Sequence, residues 1–517
     1  TFIREELGWL LLGGKERRGI IFMEMLLAVW EFFQNNILTK PAFFIGFIVF
    51  AGYALLGKKW YECLAGFIKG TVGYMILNVA SGGLVGNFRP VLAGLKDRFE
   101  LSAAVIDPYF GQAAAQASVE NIGRSFSMMM MVLLIAFTMN ILLVLFRKYT
   151  KIRTLFITGH VMVQQSSTAL WLVLFCFPGL MDPQVVVMLG ILLGTYWAVA
   201  SNLTVEPVAK LTEGGGFATG HQQMFGIFLV SKIAKKIGNP KNSLENLKLP
   251  GFLSIFNENM VATGVLMTIF FGTIITILGP DLMHQIDKGF GAKQNFGFYI
   301  LEKSLNFAVY LTILQLGVRT FVSELTNSFQ GISEKLLPGS VPAVDCAATY
   351  GFGHPNAVTF GFLFGAFGQF LAIMGLIVFN SPILIISGFV PLFFDNATFA
   401  VFANRLGGIR AAAIIPFCSG IIQVLGGGFA AYHFTTGNFG GWHGNFDWDA
   451  VWPFIGVIME NLQYVGVAAV VILLLAIPQI IYQRNKDTYF VIAEDFDKYK
   501  EIMAKKQGVP VDQVVID

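Results

Sequence analysis

The sequence predicts an all-α polytopic membrane protein containing re-entrant or half-helix elements, and three observations predict it. Hydrophobic residues make up 55% of the 517 and charged ones only 13%, whereas soluble domains carry about 25% charged residues. Uncharged runs long enough to cross a bilayer recur along the chain. Glycine (56) and phenylalanine (51) are abundant, as in membrane helices that pack small residues closely against bulky ones.

Taken in order, the clearest spans are 125–146, 154–181, 259–280, 346–394 (long enough for two) and 461–483. Further spans are expected at 41–57, 60–80, 184–204, 298–318 and 411–432, with shorter apolar pieces near 102–117, 217–231 and 336–344. These are more segments than full spans can fill. Some must be half-helices, re-entrant loops or surface helices.

Basic residues set the orientation. Arg147, Lys148, Lys151 and Arg153 follow one span, and Lys232, Lys235, Lys236, Lys241 and Lys248 follow two spans later. Two crossings return the chain to the same side, so both loops are expected in the cytoplasm. The charged tail 484–517 is assigned there too, after a permease domain over 23–483. Residues 1–22 carry no small-residue cleavage site and are not read as a signal peptide. Met23 or Met25 is the alternative start, with 1–22 a cloning remnant or misassigned start.

Several classes are excluded. A net charge of +3 gives no reason to expect nucleic acid. Cys63, Cys176, Cys346 and Cys418 lie far apart in apolar runs, as small core residues do. "GYALLGKK" (52–59) approaches a phosphate-binding loop, but Lys59 stands where Ser or Thr is required. The six histidines have no ligand-like spacing, so no metal or other cofactor is expected.

An internal repeat is visible. "ITGHV" (157–161) resembles "ISGFV" (386–390), and each follows an "AV(I)D" element, 104–107 and 343–345. Two related halves are the transporter pattern this suggests. "GGGFATGH" (214–221) and "GGGFAAYH" (426–433) also look alike, but their spacing differs and the match is read as coincidence.

Polar residues stand where they are least welcome. On a helix His160 and Gln164 share a face, while Gln165 points about 100° away. His221-Gln222-Gln223 follows glycines that suggest a half-helix start, tolerated only beside protein or a wet cavity. Asp345 opens the uncharged run 346–394. A lone glutamine is more often a packing residue. Two His/Gln clusters and a carboxylate together suggest a shared pocket for a small polyhydroxylated solute, because amides and imidazoles both donate and accept.

At these residues the chain resembles the ascorbate-specific enzyme IIC permeases of the bacterial phosphoenolpyruvate-dependent phosphotransferase system. "GYMILNVASG" (73–82), "IRTLFITGHVMVQQ" (152–165), "GFATGHQQ" (216–223), "KLPGFLSIF" (248–256), "GVRTFVSELTNSFQGIS" (317–333), "AVDCAATY" (343–350) and "GFVPLFFDNATFAVFANRLGG" (388–408) carry the likeness in order. The resemblance implies a homodimer in the bacterial inner membrane, with about eleven transmembrane helices per chain in two inverted repeats. Each chain would have a V-motif domain and a mobile core, interleaved in sequence. It implies uptake of L-ascorbate with phosphorylation at its 6-hydroxyl by the phosphocysteine of a IIB protein, itself charged by a IIA protein. Substrate positions fall on Ser81, Pro108, Tyr109, His160 to Gln164, His221, Gln222 and Asp345. Pro108 departs from the family's threonine, which leaves a backbone or shape role. "YGFGHPNA" (350–357) is one residue longer than its counterpart in the family.

Ascorbate is an anion at neutral pH. Half-helix N–H groups near Ser81 and Gly214–Gly220, or neutral donors such as Gln164, Gln222 and His160, would hold its ring. Asp345 would face its hydroxyl chain, since like charges repel strongly in a low dielectric. Asp345 and His221 are the candidates for orienting the 6-hydroxyl; no catalytic residue is certain. The alternatives are a cation-coupled secondary transporter using Asp345, Glu258, Glu324 or Glu460, and a passive channel or sensor.

Overall fold

The computed structural model describes residues 40–99, 102–247, 259–514 and 516, with isolated positions between 24 and 36. Residues 1–22, Glu258 and the stretch 248–256 lie outside them. The chain is mainly helical. Among the described residues five helical segments are long and apolar enough to cross a membrane: Met128–Leu145, Asp182–Thr212, Asn356–Val378, Val390–His433 and Phe446–Arg484. Met267–Leu278 and Pro280–Ile286, bent by 95°, make a sixth if counted as one span.

The first helices, α1 (Pro41–Leu55) and α2 (Trp60–Phe99), pack on each other. Strand β1 (Ser102–Ile106) then feeds helix α3 (Pro108–Asn121). Asp107 caps that helix by accepting from Tyr109 N at 3.0 Å, and Pro108 occupies its first turn, where a missing N–H does no harm. After α4 (Met128–Leu145) come β2 (Thr154–Phe156), α5 (Gly159–Cys176), α6 (Asp182–Leu203) and α7 (Val205–Thr212). Strand β3 (Ala218–Thr219) leads to α8 (Met224–Ile237). Helices α9 (Asn259–Leu278), α10 (Pro280–Ile286) and α11 (Phe296–Leu336) follow, with α9 and α11 packed together and α11 against α1 and α2. Large apolar side chains such as Ile68, Val72, Met75, Val79, Leu305 and Val309 stay exposed on α2 and α11, as lipid-facing surfaces require.

Strand β4 (Val341–Val344) runs through a short 3-10 turn into α12 (Pro355–Val378). Then come β5 (Ile383–Ser387), a π turn at Val390–Asp395, α13 (Asn396–His433), β6 (Gly441–Trp442) and α14 (Phe446–Arg484). The tail carries α15 (Phe496–Gln507) and a 3-10 turn at Val511–Gln513. It meets the basic loop after α4: Arg147 pairs with Glu494 at 3.7 Å, Arg153 Nη1 donates to Tyr489 O, and Tyr489 Oη donates to Lys151 O at 2.6 Å.

Among the described residues six short strands form two parallel three-stranded sheets of like construction, ordered β5-β1-β6 and β2-β4-β3. Each central strand ends in an aspartate, Asp107 after β1 and Asp345 after β4, that accepts from the N–H two residues on. "ITGHV" begins after β2 and "ISGFV" spans the end of β5, both flanking strands. The two GGGFA segments part company: Gly214–Gly216 precede β3, while Gly426–Gly428 lie inside α13.

Two expected spans, 154–181 and 346–394, are corrected, while 411–432 and 461–483 lie within longer helical segments able to cross a membrane. Run 154–181 is no simple span but β2, a link and the eighteen-residue α5, almost wholly buried in protein. At 1.5 Å per residue α5 is about 27 Å long, just short of the hydrocarbon thickness. Run 346–394 holds one helix, α12, then β5 and the π turn, rather than two spans. Run 411–432 is the second part of α13, whose backbone breaks at Gly408 (φ 66°, ψ −163°). Run 461–483 is the second part of α14, broken at Gln463 (φ 51°, ψ −133°).

Candidate functional site

The site grows from the carboxyl ends of one sheet. Strands β2 and β3 both run parallel to β4, with Phe156 opposite Ala343 and Thr219 opposite Val344. Their ends therefore point the same way. Just beyond them stand His160, His221 and Asp345, three residues scattered in sequence. His160 Nε2 lies 3.5 Å from Asp345 Oδ2, and the two imidazole centroids are 6.1 Å apart. One ligating atom from each of the three lies within 4.8 Å of the others. Linear spacing hides this grouping because each member comes from a different strand end.

Around it runs a series of amides whose orientation is fixed from one end. Trp197 Nε1–H donates to Gln165 Oε1 at 2.6 Å, and an indole only donates. Gln165 Nε2 must then donate onward, to Gln222 Oε1 at 2.7 Å. Gln222 Nε2 in turn donates to Gln164 Oε1 at 2.9 Å. The amide nitrogen of Gln164 is left to face outward from the series, and Tyr109 meets Gln164 on its phenol. His443 Nε2 donates to the same Gln222 oxygen at 2.8 Å, so its Nδ1 accepts from Thr168 at 2.8 Å.

The second imidazole is fixed similarly. Gln223 Nε2 faces two acceptors, Phe394 O at 3.5 Å and Thr398 Oγ1 at 3.3 Å. Its Oε1 therefore faces His221 Nδ1, at 2.6 Å. An amide oxygen only accepts, so Nδ1 carries a proton, and in the neutral ring the lone pair sits on Nε2. Asp345 Oδ1 accepts from Ala347 N at 2.9 Å. Its side chain is 23% exposed, against 7% for His160.

Remote carboxylates hold the frame. Asp447 Oδ2 accepts from Tyr196 Oη (2.8 Å) and Phe225 N (2.9 Å), and Oδ1 from Gly226 N (3.1 Å). It thus satisfies first-turn N–H groups of α8 and matches the positive end of that helix. Asp395 accepts from Asn445 Nδ2, Phe446 N and Gln423 Nε2. Gly111 lets α3 press against His443: a Cβ there would fall 2.4 Å from the His443 Cα.

His160, Gln164, His221, Gln222 and Asp345 are thus brought together, with Tyr109 at their edge. Pro108 is buried in the first turn of α3 and gives no side-chain hydrogen bond. The side chain of Ser81 lies outside the described residues. Sequence reasoning named Gln165 but set it off the shared face, and it missed Trp197 and His443. Gln165 does leave the shared helical face, yet Gln222 reaches round to it. A signal for His443 existed: it follows β6 much as His221 follows β3, but two-residue strands leave little periodicity to read.

Comparison with known proteins agrees with a buried polar site among apolar helices. The family described as "PTS system sugar-specific permease component" matches residues 36–449. A curated relative, the "Ascorbate-specific PTS system EIIC component" of Mycoplasma pneumoniae, is 36% identical over 431 residues, 76% of this chain and 65% of the relative. The chain matches just under two thirds of that relative's length. With most of its length matched and its apolar helices arranged around a buried polar site, the chain belongs to the multi-pass membrane family of phosphotransferase-system sugar-specific permease components.

Proposed function

We propose that this protein carries L-ascorbate across the bacterial inner membrane while a IIB protein, recharged by IIA, phosphorylates it. The observation that carries the reading is the convergence of His160, His221, Asp345, Gln164 and Gln222 from separate strand ends and helix starts. The ascorbate-specific relative supplies the sugar. Amide and imidazole groups hold the anionic ring. Asp345 faces the hydroxyl chain and, with His221, orients the 6-hydroxyl. Tyr109, with Pro108 and Ser81, completes the pocket. The like-built sheets support two inverted halves, with about eleven crossings, a V-motif domain over α1, α2, α9 and α11, and a mobile core around the sheets. Residues 23–483 form the permease and 484–517 a cytoplasmic tail. Two such chains form a homodimer in lipid. The core swings as an elevator, and phosphorylation adds charge that weakens binding and traps the sugar inside.

Cation-coupled transport finds less support. Glu324 is held by Tyr53 (2.6 Å) and Lys69 (3.2 Å), and Glu460 by His433 (2.7 Å). Labelled ascorbate uptake into vesicles tests the reading. Uptake that requires phosphorylated IIB supports it; uptake driven by an ion gradient without IIB overturns it. Gln164→Ala should lose most ascorbate binding while keeping expression and size.

A further inference from the structure

We infer that His160, His221 and Asp345 form a binding site for a zinc-class divalent cation, and that this cation and the transported sugar exclude one another. Two imidazoles and one carboxylate are a ligand set that zinc accepts, with a fourth position open to water. Tetrahedral zinc with bonds near 2.0–2.1 Å sets its ligands roughly 3.3 Å apart. The His160 Nε2–Asp345 Oδ2 separation of 3.5 Å is already close to that. The widest pair, within 4.8 Å, closes by at most about 1.5 Å.

A second observation comes from the other side of His221. Ligating histidines commonly donate their remote N–H to a fixed acceptor, which sets the tautomer and raises ligand basicity. Gln223 Oε1 accepts from His221 Nδ1 at 2.6 Å and is itself anchored through Nε2. In that tautomer the neutral ring of His221 offers Nε2 to the cluster. Asp345 is similarly steadied, since Oδ1 accepts from Ala347 N while Oδ2 faces His160. A metal seated here occupies the groups assigned above to the sugar.

The exclusion rests on that sugar assignment; the metal site does not. Zinc is the suitable probe because ascorbate does not reduce it. Purified full-length protein is titrated with Zn2+ by calorimetry, with and without ascorbate. One Zn2+ per chain is expected. His160→Gln and Asp345→Asn should each weaken it by about 10–100-fold or more, the scale that even outer-shell losses reach. Gln164→Ala, which removes a proposed sugar contact but no ligand, should bind Zn2+ as the wild type does. Thermal melting of the wild type, raised by Zn2+ through linkage, gives a reading that needs no variant. Absence of stoichiometric binding overturns the site, as does binding indifferent to both ligand substitutions. Should Zn2+ binding follow the substitutions while ascorbate binds without displacing it, the metal site stands and the sugar assignment falls.

Discussion

Trp197 shows how much one donor decides. Its indole can only donate, so Gln165, Gln222 and Gln164 inherit one orientation in turn. Trp197→Phe removes the donor and leaves Gln165 Oε1 buried, a loss of about 1–3 kcal/mol. Ascorbate affinity should fall about tenfold or more even though residue 197 is not assigned to the pocket; calorimetric titration reads this. Unchanged affinity would mean that the amide order is irrelevant to binding. Asp345→Asn separates two roles: retained binding with lost phosphorylation indicates hydroxyl orientation, and unchanged activity excludes it. At this scale the sequence was most legible for isolated polar residues in apolar runs, such as His160 and Asp345. It was least legible for Trp197 and His443. An indole in an apolar run looks like any core aromatic, and His443 lies outside the His/Gln clusters.

Among the elements, the helix start after Gly214–Gly220 was visible in its glycines, whereas the short strands were foreseeable only as a surplus of apolar pieces. The run 154–181 is uniformly uncharged, and hydropathy cannot see that its first residues are paired as β2 to β4. Partners distant in sequence made the difference. The loop after α10 carries a pH-dependent tie of its own. Asp287 Oδ2 pairs with Lys303 Nζ at 2.6 Å and accepts from Tyr299 Oη at 2.7 Å. Burial pushes its carboxyl up, but hydrogen bonds from Lys303 and Tyr299 outweigh this and hold it below the usual aspartate range. A depressed carboxyl stabilises the fold fully above its unfolded value and less as pH falls through the folded one. Wild type should therefore melt above Asp287→Asn at neutral pH, and the gap should close below about pH 4. A gap independent of pH would assign the effect to packing instead.

For the whole molecule, composition alone placed the chain in a membrane, and the family match agrees. The number of crossings was less readable, because breaks at Gly408 and Gln463 lie inside continuous apolar helices. The proposed dimer gives a simple expectation: detergent-solubilised protein should show twice the chain mass by light scattering. A monomer that still transports would remove the dimer from the mechanism. The pairing of β1 with β5 and β6 also bears on biogenesis. Ser102 meets Ile383, and Val105 meets Gly441, so ribosomes must deliver most of the polypeptide before β1 acquires either neighbour. A nascent product stopped after Val378 would hold β1 with both of its edges unpaired.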